Sequence, residues 1–465
     1  MSINAQTESP SHGKEVIGYI TNYDGWKSQA SLVVPEQGCY CQLNVDFSKY
    51  TILNFAFFGL AKDGSLHSAD GRNKNIFLQG QLQESSPLLT TPYYNSYDTL
   101  ILYGSTATSQ QVDTDGLIKL AHAAGVKVMA SIGGWSMSKH FCEVAADARK
   151  RSTFIDDCAN LITTFGFDGI DIDWEYPNEM GMNIENYSDA DYANFATLMA
   201  ELRREIGTGN ENGKVLITAA MSADPTNLAG YNWERLQASM DYFNIMTYDI
   251  NGGWSDKAGH NSPLYNYPGA ERSLSLDSTT QFLIEQGVER NKINLGVAFY
   301  GRGVITKDPA VLNGPTADKV KTIPQPGEEY FQPDGPIMSC GDFDNWGYWD
   351  ATPFYSAIQQ KTGGGTINGW NSHWDANAKV PYLTKDNYFL SYDNVRSIKE
   401  KAYYVVDEDL AGLIVWNVYG DMENMMESEL VGHKNRLCPN RTNVLADAIN
   451  EAFIIGNTRH LIQNR

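Results

Sequence analysis

The chain has 465 residues and a formal net charge of −21, which argues against a nucleic-acid backbone or an anionic membrane as main partner and permits a neutral one. Hydrophobic residues make up 42% and charged residues 20%, an ordinary soluble balance, and the length exceeds what one small core needs. The 26 Tyr and 10 Trp are many; their flat amphipathic rings suit sugar faces, although packing accounts for most of them.

The opening MSINAQTESPSHGKEV is polar and lacks the apolar stretch of a secretory leader, and no run of about 18 apolar residues offers a membrane span. The expectation is a chain made in the cytoplasm. Release by a non-standard route, or as a subunit of a larger exported assembly, stays open. The six cysteines (Cys39, Cys41, Cys142, Cys158, Cys340, Cys438) form no disulfide framework in so long a chain and read as reduced structural thiols. With no CxxC, HxxxH or HxH spacing, neither a metal site nor any cofactor is expected, and activity should withstand EDTA.

Eight short apolar runs follow in chain order: VIGYI from Val16, ILNFAFFGL from Ile52, VKVMASIGGW from Val126, FDGIDIDWEYP from Phe167, VLITAAMSA from Val215, MDYFNIMTYD from Met240, INLGVAFYGRG from Ile293 and AGLIVWNVYGDM from Ala411. Between several of them lie stretches with apolar residues every three to four positions, at 114–125, 147–166 and 189–207, the period of one-sided helices. Continuous apolar strands alternating with helices predict a parallel sheet covered by helices. Eight units predict an α/β fold of the closed (β/α)8 TIM-barrel type, over 14–302 and 392–455. An open doubly wound sheet is the alternative, but the turn after the first run, ITNYDGW, lacks its GxGxxG. Residues 1–13 read as an N-terminal extension.

From 303 to 391 the rhythm breaks into Pro, Gly and aromatics. GYWDATPFYSAIQQ reads there as a short helix and WDANAKVPYLTKDNYFLSYD as strands. A structureless loop of that length is uncommon, so the segment is expected to be a small α+β insertion between the seventh strand and its helix.

The fourth run carries Asp168, Asp171, Asp173 and Glu175 within eight residues, interleaved with Ile170, Ile172 and Trp174. Side chains alternate faces along a strand, so Asp171, Asp173 and Glu175 fall on one face, about 6.6 Å apart in succession. In a barrel that face looks inward, and the acids climb toward the C-terminal mouth where such barrels place their chemistry. Three carboxylates in a partly dry column cannot all ionise cheaply, so their proton affinities separate. A protonated acid beside an ionised one is what breaking a glycosidic bond requires. An exposed acidic loop fits poorly with the apolar alternation, and a calcium loop fits poorly because its glycine is missing.

This stretch resembles the D-x-x-D-x-D-x-E signature of glycoside hydrolase family 18, the chitinases of bacterial type with an α+β insertion. Further marks are similar: Ser131-Ile132-Gly133-Gly134, Met246-Thr247-Tyr248-Asp249, Tyr300-Gly301-Arg302 at the end of the seventh strand, and Trp416 on the eighth. The likeness runs over roughly 14–450. It implies hydrolysis of chitin or chitooligosaccharides, β-1,4-linked N-acetylglucosamine, by substrate-assisted retention. Glu175 would be the acid/base, Asp173 the stabiliser of the acetamido group, Asp171 its proton partner, and Tyr248 the donor to the acetamido oxygen. Asp249, Met246, Tyr300 and Arg302 would hold the sugar over a floor made by Trp416.

Trp135, Trp254 and Trp26 are candidate stacking rings. Tyr19 and Phe57 either line the barrel beneath the site or are plain core. Asp168, Ser131, Gly133 and Gly134 read as structural support. Two other functions share such a barrel: a chitin-binding lectin, which typically lacks the acid, and an endo-β-N-acetylglucosaminidase acting on glycoprotein glycans.

Overall fold

A computed structural model describes residues 8–22, 38–67, 115–182, 184, 186–210, 213–317, 352–424, 428–431 and 436–463. Trp26, Cys340, the first seven residues and positions 318–351 of the expected insertion lie outside the described residues. Eight parallel strands form the centre: β1 (Glu15–Thr21), β2 (Ile52–Leu60), β3 (Lys127–Gly133), β4 (Gly169–Asp173), β5 (Leu216–Ser222), β6 (Tyr242–Met246), β7 (Ile293–Ala298) and β8 (Gly412–Trp416). Each pairs with its neighbour in chain order, and β1 pairs with both β2 and β8, so the sheet closes on itself. The fold is a (β/α)8 barrel, as the eight apolar runs predict.

The strands are buried on both faces because helices cover the outside and side chains fill the inside. The helix Ala148–Phe165 shows how local sequence sets its limits. Asp147 caps its start by accepting the N–H groups of Arg149 and Lys150, and Gly166 ends it at φ 82°, the left-handed turn that glycine enters without strain. It presents Phe154, Ile155, Cys158, Leu161 and Ile162 inward, one stripe at helical spacing. Among the described residues, Cys39, Cys41, Cys142, Cys158 and Cys438 are buried thiols outside any disulfide.

Between β7 and the helix Val395–Asp407 stands a four-stranded antiparallel sheet made of Arg302–Ile305, Tyr388–Ser391, Val380–Lys385 and Asn371–Asp375, with the helix Tyr355–Thr362. Its first strand begins at Arg302, so Tyr300 and Arg302 lie past the end of β7 rather than on it. The connection that follows β6 anchors this sheet to the barrel. His260 and Asp375 form a buried pair at 3.0 Å, and the Asn261 N–H donates to Ser391 Oγ at 2.8 Å. No helix among the described residues is long and apolar enough to cross a membrane.

Candidate active site

The four acids around β4 stand at different heights, and of them Asp171 and Asp173 are the two on the strand's inner face. Asp168 lies lowest, just before the strand. Its Oδ2 accepts the Val128 N–H and pairs with His122 Nε2, both at 2.7 Å. It therefore ties the foot of β4 to β3, far below the mouth.

Register explains the next level. Asp171 stands laterally opposite Ser131 on β3 and Thr218 on β5, and laterally paired residues of parallel strands point the same way. Asp171 is fully buried and accepts four hydrogen bonds, from Ser131 Oγ (2.7 Å), Thr218 Oγ1 (2.5 Å), Tyr19 Oη (3.0 Å) and Asn244 Nδ2 (3.3 Å). Asn244 is itself oriented by Asn294, whose Nδ2 donates to its Oδ1 at 3.0 Å. Burial pushes the Asp171 pKa up, and the four donors pull against that rise without cancelling it.

Asp173 is almost fully buried, and its Oδ1 has no hydrogen-bond partner. Burial, then the charges of Glu175 and Asp171, push its pKa well above the usual carboxylate range. It holds a proton.

Glu175 departs from the expected single ladder. The strand ends at Asp173, so Glu175 lies beyond it in a bend, half-buried at the mouth. The Tyr176 side chain and the Trp135 backbone N–H hydrogen-bond its carboxyl. Burial and the charge of Asp249 outweigh these bonds and push its pKa up to about 7. Trp174, on the outer side, is sealed beneath the helices by Phe141, stacked at 5.3 Å.

Glycines keep space open around the acids. A side chain at Gly133 (φ +112°) would strike the Asp173 carbonyl, and one at Gly134 (φ +82°) the Phe57 ring. A Cβ at Gly296 on β7 would lie 2.6 Å from Tyr248 Cε1. Tyr248, just past β6, therefore packs its ring over a strand with no side chain there, and the ring is buried.

Asp249 follows at φ +56°, a left-handed conformation that its N–H bond to Asn261 Oδ1 (2.9 Å) holds. Its Oδ1 accepts from Tyr300 Oη at 2.5 Å and Arg302 Nε at 2.8 Å. The Arg302 guanidinium lies 4.8 Å over the Trp254 ring, a cation–π contact.

Trp416 ends β8, half-buried, stacked on Phe57 (5.7 Å) and tilted against Tyr19 (5.5 Å). Met246 closes β6, partly buried against the core. Trp135 and Trp254 are 40% and 36% exposed, enough ring surface to stack a ligand. The peptide bonds Ala56–Phe57, Glu175–Tyr176 and Trp416–Asn417 are cis.

The mouth thus gathers Glu175, Asp173, Tyr248, Asp249, Arg302, Tyr300 and Trp416, with Asp171 beneath and Asp168 at the far end. Thr218, Asn244, Asn261, Tyr176 and Ser138 were not foreseen. A signal existed for the first two: each is a lone polar residue inside an apolar strand run. Among the described residues, no group of three or more His, Cys, Asp or Glu could hold a metal ion. The chemistry available is proton transfer at an apolar, aromatic-floored cleft.

The model of the glycosyl hydrolases family 18 matches residues 15–421. The chain is 27% identical over 449 residues to Chitinase A1 of Niallia circulans, covering 92% of this chain and 60% of that protein. It is 31% identical over 302 residues to a probable endochitinase of Caenorhabditis elegans, covering 63% of this chain and 43% of that protein. It thus spans less than two thirds of either relative. The solved Ostrinia furnacalis Group IV chitinase in complex with allosamidin has a TM-score of 0.69 at 24% identity, over 95% of this chain and 99% of that one, a likeness of fold.

Proposed function

The chain belongs to the glycosyl hydrolases of family 18, and on that premise we propose that it is a chitinase that cleaves β-1,4-linked N-acetylglucosamine chains with retention of configuration. The observation that carries this reading is the graded column Asp171, Asp173, Glu175: a buried acid held by four donors, an acid above it whose pKa is pushed well up, and an outermost acid that titrates near neutrality.

In this mechanism the substrate supplies its own nucleophile. Glu175 gives its proton to the glycosidic oxygen as that bond breaks. The acetamido carbonyl oxygen of the departing sugar's neighbour attacks the anomeric carbon and closes an oxazolinium ring. Glu175, now a carboxylate, takes a proton from water, which opens the ring from the face the leaving group left. A pKa of about 7 suits both halves, since the group must release and regain a proton near working pH.

Asp173 has an unpartnered oxygen available to an acetamido N–H, where it would stabilise positive charge on the ring. Asp171 beneath would share a proton with Asp173, which leaves Asp173 negative as the ring forms. The Tyr248 hydroxyl would aim the acetamido oxygen at the anomeric carbon, an orientation effect. Trp416, backed by Phe57 and Tyr19, would floor the −1 sugar. Asp249, Arg302 and Tyr300 form one bonded unit along the rim that would hold the sugars on either side of the cut. Trp135 and Trp254 extend the cleft as stacking platforms. Names of the curated relatives point to the same polymer.

The test is a defined N-acetylglucosamine oligomer offered beside a high-mannose glycopeptide. Cleavage of the oligomer with β-configured products supports the reading, and product lengths separate endo from exo action. Cleavage of the glycopeptide alone makes the enzyme an endo-β-N-acetylglucosaminidase. Oligomer binding without cleavage makes it a lectin.

A further inference from the structure

The ladder between β3 and β4 ends at the pair Gly133–Asp173. Beyond it β3 turns away through two glycines at positive φ, while the main chain of Trp174 and Glu175 continues with no strand beside it on that flank. The Glu175 N–H nevertheless has an acceptor. Ser138 Oγ, fully buried, lies 3.0 Å from it. The same hydroxyl lies 2.9 Å from the Gly134 carbonyl and 3.1 Å from the Asp173 carbonyl, and its single proton is shared between these two acceptors. Asp173 O also receives the Gly134 N–H at 2.7 Å. One side chain therefore joins the peptide groups on both sides of Trp174 and takes the place of the strand that has left. The turn that carries it also supplies the Trp135 N–H to the Glu175 carboxyl. Residues 134–138 thus grip Glu175 at both ends, by main chain and by side chain.

We propose that Ser138 is a positioning residue for the acid/base, fixing the main chain of Glu175 so that its carboxyl meets the glycosidic oxygen. The assignment rests on the glycosidase reading above. Loss of the hydroxyl leaves a buried N–H without an acceptor and frees the bend to shift. A displacement of about 1 Å in a reacting group costs up to about 100-fold in rate. The defect belongs to proton donation, so it scales with how badly the leaving group needs a proton.

The experiment measures kcat/KM, which reports bond cleavage, for wild type, Ser138→Ala and the space-filling Ser138→Cys. Two substrates are used: an N-acetylglucosamine oligomer, whose sugar leaving group needs protonation, and the dinitrophenyl glycoside of its disaccharide, whose phenolate leaves without it. The expected loss is about 10- to 100-fold on the oligomer and less than about threefold on the aryl glycoside, in whichever variants fold. Equal losses on both substrates, no loss on the oligomer, or failure of both variants to fold overturns the proposal. A wild type that cleaves neither substrate instead overturns the glycosidase reading, so the two failures are told apart.

Discussion

Ser131 and Asp171 stand opposite each other across the parallel β3–β4 pair, and the serine hydroxyl donates to the carboxylate at 2.7 Å. Thr218 makes the matching bond from the other side at 2.5 Å. This lateral clamp opposes the rise that burial gives the Asp171 pKa. Asp173 above it has an oxygen without a donor, and burial, then the charges of Glu175 and Asp171, push its pKa well up.

Glu175→Gln keeps the shape of the outermost acid and removes its proton chemistry. Cleavage of an N-acetylglucosamine oligomer should fall by on the order of 100- to 10,000-fold. Binding of the same oligomer, measured by calorimetry, should persist. Retained turnover would place the acid elsewhere.

Glu175 must be protonated to act as acid, and its pKa is pushed up to about 7. The pH profile of kcat/KM should therefore fall on the alkaline side of neutrality. Asp249→Asn removes one of the charges that raise it, so that limb should move to lower pH. The same shift has a stability sign. Because the folded pKa lies above the unfolded one, folding loses stability as pH rises from about 4.3 to about 7. Glu175→Gln should thus raise the melting temperature more at about pH 8 than at about pH 4.

Gly296→Ala probes the space under Tyr248. The added Cβ would lie 2.6 Å from the ring, and the rigid strand cannot yield, so the ring must move. Overpacking of this kind costs about 1–3 kcal/mol. The expected result is a modest fall in melting temperature with a loss of about tenfold or more in kcat from misdirected acetamido contact. An unchanged kcat would mean that Tyr248 tolerates displacement.

Lys401 and Asp393 form a fully buried ion pair at 2.6 Å, with the lysine also donating to Ser262 Oγ at 2.8 Å. Ser262 in turn donates to the carbonyl of Thr247, next to Tyr248. Lys401→Met strands a buried carboxylate and should cost about 3–5 kcal/mol. The double variant Lys401→Met, Asp393→Leu should recover much of that loss, as denaturant titration would show. A single-variant cost below about 1 kcal/mol would mean that the pair is solvated.

The alternation of Asp171 and Asp173 with Ile170 and Ile172 was legible because faces alternate along one strand, a property of neighbouring residues. The eight apolar runs and the glycines beside them were legible for the same reason, and from them came the barrel and the height of the acids. Glu175 shows where this logic stops, since the strand ends at Asp173 and alternation says nothing of a bend. What only the tertiary structure decided is lateral. Thr218, Asn244 and Tyr19 converge on Asp171 from strands 47, 73 and 152 residues away in sequence. Ser138 reaches Glu175 from a turn 37 residues earlier. Asn261 joins Asp249 to the insertion sheet through Ser391. Such contacts depend on register and on closure of the sheet, which set which residues share a level, and no local pattern encodes that. The chemistry was written along one strand, whereas its proton affinities were set by the strands and turns packed around it.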